Sequence, residues 1–159
     1  MKKHATLHII QGFIGAGKST FSKKLTLLNT GAKLLNPDEW VTKLYCKDEY
    51  MANWNKCFEI TVNKLWDLAK EYLHNGTDVI FDMGFWLKKD RDFARQIAKS
   101  FNSKLIHYYL YVTDEILKER IVASRPYPWA KIHLENFDKN KRLFEEPLSE
   151  ENAIVINNF

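Results

Sequence analysis

Three sets of residues in this chain have the types and spacing for phosphate chemistry: a lysine framed by glycines, two aspartates and two arginines. The first set is Gly12-Phe13-Ile14-Gly15-Ala16-Gly17-Lys18-Ser19-Thr20, which matches the phosphate-binding pattern G-x-x-x-x-G-K-[ST]. Glycines allow a tight turn that aims several backbone N–H groups at one point. A helix opening at the end of that turn adds unpaired amide donors and the positive end of its dipole. Lys18 is then placed to reach β- and γ-phosphates, and the Ser19 hydroxyl to ligate Mg²⁺. The pattern predicts a nucleoside triphosphate site over residues 12–20.

The aspartates suit the same chemistry. Asp82 closes the apolar run Val79-Ile80-Phe81, the arrangement in which a carboxylate orders Mg²⁺ directly or through water. Its structural alternative is a cap on the turn Asp82-Met83-Gly84. Asp38 follows Asn36-Pro37 and is expected to project over the phosphate site. A carboxylate there accepts the proton of an attacking hydroxyl while the γ-phosphoryl group leaves ATP. The alternative is an acid in the first turn of a helix, near the positive dipole end. Transferred phosphoryl groups also need positive charge and exclusion of water. Arg120 and Arg125 are candidates, with Arg125 preferred, beside the segment Tyr127-Pro128-Trp129 that reads as a closing loop. As structural residues, Arg120 would be a surface side chain beside Glu119, and Arg125 would neutralise a helix end. Lys88-Lys89-Asp90-Arg91-Asp92 reads as a solvated helix start, although it follows the Asp82 loop closely enough to touch an anionic substrate. The five histidines lack metal-ligand spacing, and Cys46 and Cys57 read as buried or idle thiols of a reducing compartment.

These residues need elements to hold them. Residues 6–11 form a continuous apolar strand, followed by a helix over 17–29 with its stop at Asn29-Thr30-Gly31. Lys33-Leu34-Leu35 is a short second strand, ended by Pro37. A helical pattern runs from Glu39 to about Cys46. A long helix is expected over about 50–73, with Trp54, Phe58, Val62, Leu65, Leu68 and Tyr72 on one stripe. Strands at 79–82, 104–112 and 153–156 alternate with helices over about 88–100, 114–124 and 130–144. That alternation implies a parallel sheet covered on both faces, with ligands at the carboxyl ends of the strands. The loop at 12–20, Asp38 and Asp82 all fall at that edge.

A length of 159 residues suits one domain, residues 1–159. The composition, 45% hydrophobic and 28% charged, is that of a globular protein, and the net charge of +4 is spread among acids rather than gathered in a tail. Nucleic acid is therefore a possible but unfavoured partner. No leader or membrane-spanning segment is placed in the sequence, so a cytoplasmic protein without a membrane partner is expected, as monomer or dimer. No Asn-Lys-x-Asp guanine-reading motif is present, which weighs against a GTP-type switch.

Taken together, Gly12–Thr20, Asn36-Pro37-Asp38-Glu39, Phe81-Asp82-Met83-Gly84-Phe85-Trp86, and Arg120 with Arg125 resemble the small P-loop kinases. They are most similar to the "AAA domain" kinase-like family related to zeta toxins, chloramphenicol phosphotransferase and phage polynucleotide kinase. The segment Phe144-Glu145-Glu146-Pro147 resembles that family's stretch near the adenine. The resemblance implies an α/β P-loop NTPase fold, an adenylate-kinase-like three-layer sandwich with five parallel strands in the order 2-3-1-4-5. It further implies ATP and Mg²⁺, Asp38 as general base on an acceptor hydroxyl, a lid at about 120–131 carrying Arg120 and Arg125, and an acceptor-binding helical region at about 39–75. Many relatives carry an arginine shortly after the strand-two aspartate, where this chain has Glu39-Trp40-Val41-Thr42. The expected acceptor is therefore a hydroxyl of a small molecule or nucleotide rather than a nucleic-acid end. A nucleotide-binding switch module and a nucleic-acid 5′-hydroxyl kinase are the alternatives.

Overall fold

The computed structural model describes residues 4–158. Its centre is a five-stranded parallel sheet in the order β2-β3-β1-β4-β5. β1 (Thr6–Gly12) lies between β3 (Val79–Gly84) and β4 (Lys104–Tyr111), and β2 (Lys33–Leu35) and β5 (Ile154–Asn157) form the edges. Leu7 is registered with Val79 on one side and Leu105 on the other. This continuous apolar register accounts for the burial of β1 on both faces.

Helices cover both faces, as parallel strands require. On one face α4 (Trp54–His74) and α5 (Lys88–Ser100) set Leu65, Trp66, Ala69, Ala94 and Ala98 against Leu7, Ile9, Val79 and Phe81. On the other, α1 (Lys18–Leu28), α6 (Asp114–Ser124) and α8 (Phe137–Leu143) bring Leu25, Leu117, Ile121 and Phe137 against Ile10, Ile80 and Leu110. Two smaller helices follow β2: α2 (Pro37–Leu44) and α3 (Lys47–Ala52); α7 (Trp129–Glu135) precedes α8.

Three boundaries differ from the sequence expectation. The long helix over about 50–73 is two helices, α3 and α4, broken at Asn53, whose φ of −138° leaves the helical region. The helix over 130–144 is likewise α7 and α8, parted at Asn136. Both breaks fall at asparagine, which favours turns over helix interiors because its side chain competes for backbone hydrogen bonds; the Asn136 amide does this directly, donating to the Ile132 carbonyl at 2.9 Å. Asp38 itself lies inside α2, because Asn36 caps that helix by accepting from the Glu39 N–H at 3.0 Å and Pro37 opens it.

Candidate functional site

The glycine loop runs from the end of β1 into α1. Gly15 and Gly17 have φ of +85° and +88°, a region that a side chain makes costly, so these two positions depend on glycine. Phe13 and Ala16 turn inward instead. Phe13 stacks on Trp86 with ring centres 5.0 Å apart and meets Phe137 edge-on at 5.2 Å. Ala16 is fully buried and Ile14 packs against the same core. Gly12 is closed in as well: a Cβ there would lie 3.2 Å from Ala16 Cβ and Lys18 Cγ. Of residues 12–20, then, Gly15, Gly17, Lys18, Ser19 and Thr20 border the open space, and Gly12, Phe13, Ile14 and Ala16 hold the loop's shape through the core.

That open space is a cleft of about 700 Å³, lined by the loop on one side and by Arg120, Arg125 and Asn158 on the others. Its volume matches a small-molecule site. Arg120 and Arg125 stand at the end of α6, as the sequence placed them. Within the loop, Lys18 donates from Nζ to the Phe13 carbonyl at 3.0 Å.

Asp82 is buried at the carboxyl end of β3 and accepts two hydrogen bonds at Oδ2, from Ser22 Oγ at 3.0 Å and Asn36 Nδ2 at 3.1 Å. The same carboxylate therefore ties α1 to the start of α2. Asp38, in the first turn of α2, is exposed. Burial of the surroundings raises its carboxyl above the usual range, Lys18 and Arg125 pull it down, and Asp82 pushes it up. Asp82 is raised by burial too, against Lys18 and its two hydrogen-bond donors. Lys18 is lowered by burial, opposed by Asp82 and Asp38. Arg125 is lowered by burial and held up by Asp38. Each of these four groups thus has at least one of the others among the charges acting on it, as groups near one another in space do.

Among the described residues no group of three His, Cys, Asp or Glu side chains could hold a metal ion unaided. The donors present fit a cation that arrives with a nucleotide: the Ser19 hydroxyl is exposed at the helix start, and Asp82 has its hydrogen bonds on one carboxylate oxygen.

Sequence reasoning missed the roles of four residues here. Ser22 and Asn36 orient Asp82. Asn158, just after β5, donates from Nδ2 to the Ala16 carbonyl at 2.7 Å, while its own N–H bonds the Tyr111 carbonyl at 3.1 Å. Arg91 corrects the expectation of a solvated helix start: it is fully buried. Its guanidinium meets Glu151 through two hydrogen bonds of 2.8 Å and donates to the carbonyls of Phe85, Trp86, Glu145 and Glu146. The signal was present in the spacing, since Arg91, Ala94 and Ala98 lie on one helical face.

Comparison with known proteins agrees with this architecture. The family model described as "AAA domain" matches residues 7–147. No curated protein matches the sequence. Among solved structures, a gluconokinase from Sinorhizobium meliloti 1021 superposes with a TM-score of 0.67 at 15% identity, over 98% of this chain and 84% of that one. A sugar kinase from a Janibacter species gives a TM-score of 0.69 at 15% identity, over 96% and 85%. A structure of a Pnkp1/Rnl/Hen1 complex gives 0.64 at 19%, over 80% of this chain and 43% of that one. At these identities the likeness establishes the fold. The family match spans the glycine loop, both aspartates and both arginines, and on that ground the chain belongs to the AAA-domain family of small P-loop kinase-like proteins.

Proposed function

We propose that the protein is an ATP-dependent kinase that transfers the γ-phosphoryl group to a hydroxyl of a small molecule or nucleotide. What supports this reading is the cleft that Lys18 and Arg125 line beside the glycine loop, with Asp38 among the charges that act on both. A carboxylate whose charge acts on the loop lysine and the lid arginine is placed to serve as the proton acceptor that a kinase needs.

In the proposed reaction, N–H groups of the loop and the start of α1 bind the phosphates, and Lys18 exchanges its bond to the Phe13 carbonyl for the β- and γ-phosphates. Arg125, with Arg120 beside it, neutralises charge on the group in transfer and screens it from water. Asp38 accepts the proton of the acceptor hydroxyl as the new O–P bond forms and the bond from γ-phosphorus to the β–γ bridging oxygen breaks, releasing ADP. Ser19, with Asp82 behind it, would hold Mg²⁺, whose charge offsets that of the phosphates. The segment 120–131 acts as the lid.

Asp38→Asn tests the assignment. It keeps the shape of the side chain and removes its basicity, so ATP binding by calorimetry stays near wild type while phosphoryl transfer falls by about two to four orders of magnitude. Undiminished transfer in that variant removes Asp38 from the mechanism.

A further inference from the structure

A second hollow opens at the carboxyl edge, one strand away from the phosphate cleft. This groove, about 290 Å³, lies between α4 and α5 and is walled by Phe58, Trp66, Met83 and Phe93, with Asn63 and Asp90 as polar members. Met83 directly follows Asp82 on β3, and Asp90 lies in the first turn of α5. The next residue of β3, Gly84, runs under the loop lysine: a Cβ there would sit 3.6 Å from Lys18 Cε. The groove thus shares the end of β3 with the neighbourhood of the loop lysine, while no residue lines both the groove and the phosphate cleft.

The chemistry of the walls is selective. Trp66 and Phe93 meet edge to face at 5.1 Å, and Phe93 remains 40% exposed, open to a ligand. Lys88 is paired with Asp92, but the carboxylate of Asp90 has no hydrogen bond or ion pair among the described residues. Burial raises it, with Lys89 and Arg91 pulling it down. No Lys, Arg or His lines the groove among the described residues. Aromatic faces attract cations through their quadrupole, most strongly where water is partly excluded. A carboxylate at the same place adds direct attraction and repels acceptors that carry an acid or a phosphate.

We infer that this groove is the acceptor subsite and that it takes a hydroxyl-bearing organic ammonium ion, an amino alcohol, in preference to sugar acids and nucleotides. The inference rests on the kinase reading above for the word acceptor, and on the groove alone for the ammonium.

Calorimetry separates the two. Choline and its uncharged isostere 3,3-dimethylbutan-1-ol have the same shape, so any difference reports charge. The wild type binds choline about ten-fold more tightly than the isostere, the scale of a partly desolvated cation–π contact. Asp90→Asn and Phe93→Ala each erase most of that preference, while Lys18→Ala keeps it and loses phosphoryl transfer. Equal binding of the two isosteres, or a preference that survives Asp90→Asn, overturns the inference. A choline preference with no transfer to any hydroxyl leaves an ammonium site and removes its role as acceptor subsite together with the kinase reading. Transfer to glycerol or gluconate without a choline preference keeps the kinase and removes the ammonium assignment.

Discussion

Buried titratable groups outside the cleft show how strongly single residues answer to their surroundings. His107 sits within β4, buried, with Nε2 against Gln11 Oε1 at 2.9 Å and Nδ1 without a partner among the described residues. Burial lowers its pKa from 6.5 to about 4, with Glu151 pulling it up and Arg91 and Arg95 pulling it down. The imidazole is therefore neutral in the folded protein at pH 7. An unfolded chain takes up a proton on this residue near pH 6.5, the folded protein only near pH 4. Below pH 6.5 the unfolded state binds more protons, so the contribution of His107 is fully present above that value and is lost as the pH falls to about 4. In His107→Gln, urea unfolding midpoints measured from pH 7 to pH 4 should decline less steeply than in wild type. Parallel declines would show that the ring titrates in the fold as it does in water. His8, also lowered by burial, is common to both proteins and cancels in that comparison.

Between elements, the notable link runs from β5 to the glycine loop. The Asn158 side chain reaches the Ala16 carbonyl, and its Nδ2 would lie 2.5 Å from a Cβ on Gly17. Fixing the Ala16–Gly17 peptide fixes where the Gly17 N–H points, so the edge strand sets part of the anion cradle. Asn158→Ala should weaken ATP binding by about ten-fold, the worth of one hydrogen bond, with a melting temperature close to wild type. Asn158→Asp should weaken it further, because a carboxylate would face both a carbonyl and the phosphates. Unchanged affinity in both variants would reduce the contact to packing. The strands and their alternation with helices were legible in the chain, because a glycine loop, apolar runs and helical stripes obey local spacing rules; the strand order followed only from the family resemblance. The oriented Asp82 was only half legible. Its place at the end of β3 follows from local pattern, but its donors Ser22 and Asn36 are 60 and 46 residues away in sequence. Asn158 lies 142 residues from Ala16, beyond any pattern of spacing. The break at Asn53 was hidden for another reason: the aromatic stripe continues across it, with Tyr50, Trp54 and Phe58 still in contact.

At the scale of the molecule, the deepest charge is Arg91. Burial alone would raise the Glu151 carboxyl, but hydrogen bonds from Arg91, Arg95 and the Leu148 N–H hold it well below its usual range. The pair is ionised and satisfied inside the protein. Removing one member strands the other along with the carbonyls of Phe85, Trp86 and Glu145. Arg91→Met should cost about 3 kcal/mol or more, read as a lowered urea midpoint; a loss under about 1 kcal/mol would mean that Arg95 alone satisfies Glu151. The same guanidinium has a wider reach. It grips the loop after β3, whose Trp86 stacks on Phe13 of the glycine loop, and it grips Glu145 next to Phe144, which meets Phe13 edge-on. Loop and tail are thus clasped by a single buried cation, so the nucleotide-facing edge and the last strand cannot fray separately. They open as one cooperative unit, and whatever loosens the clasp disarms the site before the sheet itself gives way.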